Sequence, residues 1–242
     1  MVPFESEASS VVMARTGLEI ECGGVARGDR GALSGYLANP VSGGRGILVI
    51  HDEWGLTDHV RDVCDRLARA GFVALAPDLL AGRTAADVAE AGSLARDFGV
   101  ERAADDLDAA AVELFNQNAT EGPRLGALGF GVGGQLALLA ASRNRRVGAV
   151  ADFYGTDLAV APDLETLQAP VLAIFAGADE AAAPVAERLD AELRRAGVRA
   201  VIETRAGLRP GYMNDSRPEV HAAVEAAQDW DSLLAFFRAE LS

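Results

Sequence analysis

Cysteine and histidine are scarce in this chain: two cysteines, Cys22 and Cys64, and three histidines among 242 residues. Two cysteines make neither a disulfide framework nor a metal site. Cys64, on an amphipathic stretch from Asp58 to Ala70, reads as a small core residue. No metal and no cofactor is expected. Basic residues are also short, 22 against 36 acidic ones, for a formal charge of −14. That balance makes nucleic acid and anionic membrane surfaces poor partners. Residues 1–15 are acidic and serine-rich without an apolar stretch, so neither a signal peptide nor a membrane anchor is expected, and a cytoplasmic location is. They read as a short flexible tail. Residues 16–242 read as one domain, because no repeat, linker or composition break divides them.

The most informative absence is a side chain. Gly129-Phe-Gly-Val-Gly133 has the shape of the G-x-S-x-G nucleophile elbow, a sharp strand-to-helix turn, but its middle position is Gly131. An apolar run, 124–130, leads in and a helical run, 132–140, leads out. The same five residues also fit an ordinary strand–helix turn. A dinucleotide loop is a further reading, since Gly129, Gly131 and Gly134 fit G-x-G-x-x-G. That reading wants the first strand–helix unit and an acid about 20 residues on. Here the motif lies mid-chain, and the stretch near 149–151 is apolar until Asp152.

Short apolar runs at 46–50, 71–76, 125–130, 147–151, 170–175 and 200–203 alternate with helical patterns at 58–70, 84–98, 100–117, 132–142, 181–196 and 217–240. Runs of this kind suit strands buried on both faces of a parallel sheet. The alternation predicts an α/β fold, a doubly wound and mostly parallel sheet with helices on both faces. Residues 16–22 and 31–38 look like a leading antiparallel hairpin. Ligands in such sheets bind beyond the carboxyl ends of the strands. Asp52, Glu53, Asp152 and Asp179 all fall at such ends and are expected to share one pocket. Asp152 interrupts a buried strand, which would raise its pKa or leave it a structural acceptor of backbone N–H groups. By strand parity Tyr154 is expected on the same face.

Several segments together resemble the dienelactone hydrolase (carboxymethylenebutenolidase) family of the α/β-hydrolase superfamily. They are Ile47–His51 with Asp52-Glu-Trp-Gly-Leu56, His59–Val63, Ala68–Leu80, Gly129–Gly134, Phe153-Tyr-Gly155, Gly177-Ala-Asp179 and Tyr212–Pro218. The resemblance covers about residues 16–240 and implies the α/β-hydrolase fold. It implies a Cys or Ser at the elbow, an Asp after a later strand and a His in a C-terminal loop. Only the Asp is kept, as Asp179. The elbow position is Gly131, and the His position is Pro210, or Arg209 if the loop shifts by one. The resemblance also places Asp52 where the family keeps a Glu, and the N–H groups of Glu53 and Val132 at the oxyanion hole. Arg217 and, more loosely, Arg83 match arginines that hold a substrate carboxylate.

Of the histidines, His59 reads as structural, while His51 and His221 are candidates for a rebuilt base. Trp54, Phe130, Tyr154 and Tyr212 would wall a ring-containing ligand, or simply belong to the core. The expectation is a repurposed enzyme acting on a small carbonyl compound by acid–base chemistry of the cyclase, isomerase or lyase kind. Asp52, Asp152 or Asp179 would move the proton. A silent binding protein and a hydrolase with a rebuilt site are the alternatives. The partner is a small-molecule substrate, and the chain is expected to be a monomer or homodimer.

Overall fold

The computed structural model describes residues 13–20, 33–97, 99–156 and 161–242. In chain order the elements are β1 (Met13–Ile20), β2 (Leu33–Pro40), β3 (Gly44–Ile50), α1 (Asp58–Arg69), β4 (Phe72–Pro77), α2 (Val88–Asp97), α3 (Val100–Asn116), β5 (Thr120–Phe130), α4 (Val132–Arg143), β6 (Val147–Phe153), β7 (Val171–Ala176), α5 (Ala182–Arg195), β8 (Ala200–Arg205) and α6 (Ala223–Glu240). The eight strands form one sheet in the order β1-β2-β4-β3-β5-β6-β7-β8. β1 and β2 pair antiparallel, β2 joins β4 antiparallel, and β4 through β8 run parallel.

The apolar runs account for this layout. β4, β6 and β7 are buried at every residue, as strands covered on both faces must be. On one face Leu107, Leu114, Leu136, Leu138 and Leu193, from α3, α4 and α5, pack against Leu48, Leu75 and Val150. On the other, Val63 and Leu67 of α1 and Leu233 and Phe237 of α6 pack against Ile47, Val49 and Leu128. Each of the larger side chains contributes roughly 1.5–3 kcal/mol by leaving water.

The chain passes from β3 outward to β4, then returns to lay β5 on the opposite side of β3. That reversal is a topological switch point, where a crevice opens beyond the strand ends. Ile50 of β3 lies level with Gly129 of β5, so the segment after Ile50 and the turn after Phe130 are neighbours.

Several boundaries differ from the expectation. β1 begins at Met13, inside the stretch read as a tail, while residues 1–12 lie outside the described residues. The hairpin is present, although residues 21–32, which include part of both expected strands, are likewise outside them. α2 starts only at Val88, and α6 only at Ala223. Pro218 interrupts the latter pattern, and residues 206–222 are instead a chain of turns closed by Ala222 N–H donating to the Tyr212 carbonyl at 3.1 Å. No helix among the described residues is long and apolar enough to cross a membrane.

Candidate active site at the switch point

Gly131 joins β5 to α4 with φ +54° and ψ −125°, a conformation that L side chains rarely adopt. Its N–H donates to the Phe153 carbonyl at 2.9 Å, and its own carbonyl accepts from Gly134 N–H at 3.0 Å. The strand therefore turns into the helix within one residue. Such sharp packing needs bare α-carbons: a Cβ on Gly129 would lie 1.9 Å from the Gly133 carbonyl oxygen. A Cβ on Gly131 itself would lie 3.2 Å from Cβ of Asp52 and 3.3 Å from Oε2 of Glu53. The Glu53 carboxylate and the first side-chain carbon of Asp52 thus lie beside the point above the turn.

Asp52 is pushed up to about 7, first by its removal from water and then by the charge of Glu53 beside it. The Trp54 N–H, donating to Oδ1 at 3.0 Å, and the charge of Arg217 pull the other way. Burial wins, and the group changes charge near neutrality. Val132 is the first residue of α4, so its N–H has no acceptor within the helix and faces the same end of the sheet.

Trp54 and Arg217 come together, the guanidinium 4.3 Å over the indole ring, with Arg217 Nε donating to Glu219 at 3.0 Å. They line a cleft of about 380 Å³ with Thr57, Ala85 and Asn214. Arg83 is exposed outside that lining, its Nε donating to the Leu80 carbonyl at 3.3 Å. Arg209 is exposed too and donates to the Glu219 carbonyl at 2.5 Å. Phe130, Tyr154 and Tyr212 form a buried aromatic chain, with ring centroids 6.0 Å apart for the first pair and 5.7 Å for the second. Tyr154 is pushed well up by burial and by the charge of Asp52.

Asp179 and Pro210 meet in a second cleft of about 180 Å³, which Tyr154 also lines. Asp179 accepts the Ala181 N–H at 3.0 Å. The expectation of one pocket for four acids needs correction: Asp52 and Glu53 lie beside the elbow turn, Asp179 opens into the second cleft, and Asp152 is on the other side of the sheet. Asp152 is fully buried beside Val150 on the α4 face, with Oδ2 accepting from Gln135 Nε2 at 3.3 Å. Burial pushes it to about 7 against the pull of the Gly155 backbone and Gln135. A Cβ on Gly134 would lie 1.8 Å from its Oδ1. Nor does Tyr154 share its face. Tyr154 has φ +46°, which breaks the strand alternation and turns the ring to the opposite layer, against Phe130 and Tyr212.

His51 and His221 bond to backbone groups, while both ring nitrogens of His59 are buried without a hydrogen-bond partner. His51 is buried, its Nε2 accepting the Leu79 N–H at 3.1 Å, so the proton is on Nδ1, 2.6 Å from the Asp52 carbonyl. Burial lowers its pKa, and the ring ties the two strand-end loops together. His221 Nδ1 is 3.0 Å from the Tyr212 carbonyl. His59 packs edge-on against Phe130 and is lowered to about 4 by burial.

Sequence reasoning passed over a network beneath the 206–222 turns. Asp229 of α6 is fully buried and accepts from Arg205 Nε at 2.9 Å and from the Tyr212 hydroxyl at 2.5 Å. The signal was an acid on the apolar stripe Ala226, Trp230, Leu233 and Phe237. Among the described residues no group of three or more His, Cys, Asp or Glu is placed to hold a metal ion.

This strand order with a sharp β5–α4 elbow defines an α/β-hydrolase fold. The family model of the dienelactone hydrolases matches residues 33–241, and the chain belongs to that family. It is 32% identical over 217 residues to "Protein usf" of Aquifex pyrophilus, covering 86% of this chain and 94% of the relative. It is 31% identical, over 86% and 93% of the two chains, to a protein of Aquifex aeolicus provisionally named a carboxymethylenebutenolidase. A dienelactone hydrolase-like promiscuous phosphotriesterase from metagenomic libraries has the same fold, with a TM-score of 0.83 at 22% identity over 95% of this chain and 99% of that one.

Proposed function

We propose that this family member acts on a small carbonyl compound by moving a proton, without a covalent acyl intermediate. The observation that carries the reading is Asp52, with a pKa of about 7, on the loop whose side chains come within 3.2 and 3.3 Å of the point above the bare turn at Gly131. A residue that titrates near neutrality both takes and returns a proton at useful rates. Gly131 offers no attacking atom and Pro210 no base, and removing such groups from a hydrolase of this kind lowers turnover by a factor of about 10⁶. His51 uses both ring nitrogens inside the fold, which weighs against a base rebuilt there.

The relatives' names point to an unsaturated lactone or ester as the substrate class. Its carbonyl oxygen would sit toward the N–H groups of Glu53 and Val132, which favour the enolate as charge develops. Asp52 would exchange a proton with the carbon beside that carbonyl, and Arg217 on Trp54 would anchor an acidic substituent. Asp179 and Asp152 take no part in the transfer. A cytoplasmic enzyme without cofactor, working as a monomer or homodimer, fits this reading.

The test is solvent exchange. Lactones and 2-oxo acids with enolisable positions are incubated in deuterium oxide, and label entering the α-carbon is followed by NMR. The wild-type protein should accelerate exchange for at least one of them, and Asp52→Asn should lower that rate by about 10²-fold or more. Equal rates in wild type and Asp52→Asn, or no exchange above buffer, would remove the reading.

A further inference from the structure

The second cleft, where Asp179 and Pro210 meet, has no part in the proton transfer proposed above. It lies between the ends of β6 and β7 and the start of α5, with Tyr154, Phe175, Ala182, Val185 and Pro210 as its largely apolar walls. Its volume is about 180 Å³. Roughly 150 Å³ is enough for one benzene ring, so the cleft has room for a ring and a short arm. Backbone bonds fix the walls. Tyr154 N–H donates to the Ile174 carbonyl at 2.7 Å and Ala178 N–H to the Leu208 carbonyl at 2.8 Å, tying the segments after β6 and β7 to their neighbours.

One formal charge lines this space, and it is negative. Asp179 is held in a tight turn: its N–H donates to the Ala176 carbonyl at 3.1 Å, and its own carbonyl accepts from Ala182 N–H at 3.0 Å. Its Oδ1 accepts from the Ala181 N–H at 3.0 Å. Among the described residues no arginine or histidine pairs with Asp179, and Pro210 beside it has neither a side-chain donor nor an N–H. The second carboxylate oxygen is therefore left to solvent or to a ligand. The wider field has the same sign. Glu180 follows in sequence, and the charges of Asp52 and Glu53 bear on the Tyr154 hydroxyl more than that of Arg217 does. An anion here would meet an unpaired carboxylate, and a purely apolar guest would strip water from that carboxylate without replacing it.

From this geometry we infer that the cleft is a binding site for a small organic cation, an ammonium group carried on a single ring. The ammonium donates to the open oxygen of Asp179, a charge-assisted bond, and the ring fills the space between Tyr154, Phe175 and Val185. Aromatic side chains in the wall add to the attraction for positive charge. No covalent bond is made or broken, and the inference holds whether or not Asp52 moves a proton.

The experiment titrates the full-length protein at neutral pH with benzylamine, benzyl alcohol and benzoate, read by two-dimensional proton–nitrogen NMR. The three probes share one ring and differ in charge. Benzylamine is expected to bind with a dissociation constant on the order of 1 mM, moving signals clustered at residues 154–156 and 176–185. Benzyl alcohol should bind about tenfold more weakly, and benzoate not at all. Asp179→Asn should weaken benzylamine about tenfold and leave benzyl alcohol unchanged. Ala182→Leu, which puts a larger side chain into the cleft, should exclude both. Benzoate binding as tightly as benzylamine overturns the inference, as does benzylamine that binds nowhere or shifts signals away from these residues. So does an Asp179→Asn protein that keeps the wild-type affinity for benzylamine, or that loses both ligands alike, since the carboxylate would then support the wall and not pair with charge. The comparison of the three probes on the wild type needs no variant, so it decides the matter even where Ala182→Leu fails to fold.

Discussion

Nε2 of Gln135 donates to Oδ2 of Asp152 at 3.3 Å, and this bond holds the acid on the α4 side of the sheet, away from Asp52. Asp152 is therefore a stability element that titrates. In the fold it keeps its proton up to about 7, against an ordinary value of 3.8. Between pH 4 and 7 the unfolded chain releases this proton and the folded chain does not. Stability from this group thus falls as pH rises, by on the order of 4 kcal/mol across the window. Asp52 adds a slope of the same sign, and His59, held neutral down to about 4, adds one of opposite sign. The contrast between wild type and Asp152→Asn isolates the term. Urea midpoints at pH 5, 6, 7 and 8 should fall less steeply in the variant, whereas parallel curves would contradict the burial argument.

The elbow glycines should rank by what a methyl group would strike. Gly131→Ala meets only contacts of 3.2 and 3.3 Å but must hold φ +54°, a strain of about 1–3 kcal/mol. Gly129→Ala and Gly134→Ala would force 1.9 Å and 1.8 Å approaches, to the Gly133 carbonyl oxygen and Asp152 Oδ1. Both are expected to cost more than Gly131→Ala in chemical denaturation, and a reversed order would contradict the turn geometry.

Under the 206–222 turns, Tyr212→Phe leaves an oxygen of buried Asp229 short of a donor, at a cost of about 1–3 kcal/mol. Asp229→Ala takes from Arg205 its buried partner but leaves it Glu203, and removes the acceptor of the Tyr212 hydroxyl, at a cost of about 1–3 kcal/mol. Because the same turns carry Pro210 and Arg217, the second change should also loosen them, visible as faster amide hydrogen exchange over 208–221.

Gly131→Cys combined with Pro210→His tests whether these positions stand where the family places its nucleophile and base. Pro210 lies with Asp179 in one cleft, so a His there has an acid within its surroundings. The double variant should gain hydrolysis of p-nitrophenyl acetate above wild type and react with iodoacetamide at position 131. A folded double variant with neither property would contradict the assignment.

Much of the fold was legible because uninterrupted apolar runs admit few arrangements other than two-sided strands. Gly131 and Asp52 were legible for a related reason, since their places at strand ends follow from chain order. The faces were harder to read. Parity put Tyr154 with Asp152, and a single residue at φ +46° undid it. The 217–240 pattern looked helical throughout, but Pro218 and the closure from Ala222 to Tyr212 keep its first turns irregular. Glu53 was read for its N–H alone, because only the three-dimensional path of the 51–56 loop shows where its carboxylate lies.

The proposed chemistry needs Asp52 to change charge near neutrality. Carbon-detected NMR of the Asp52 carboxyl, assigned by its loss in Asp52→Asn, follows that group directly from pH 4 to 9. A midpoint near 7 that falls in Glu53→Gln is the expected result. A midpoint in the ordinary carboxylate range near 4, unmoved by Glu53→Gln, would leave the site without its proton carrier and contradict the proposed chemistry.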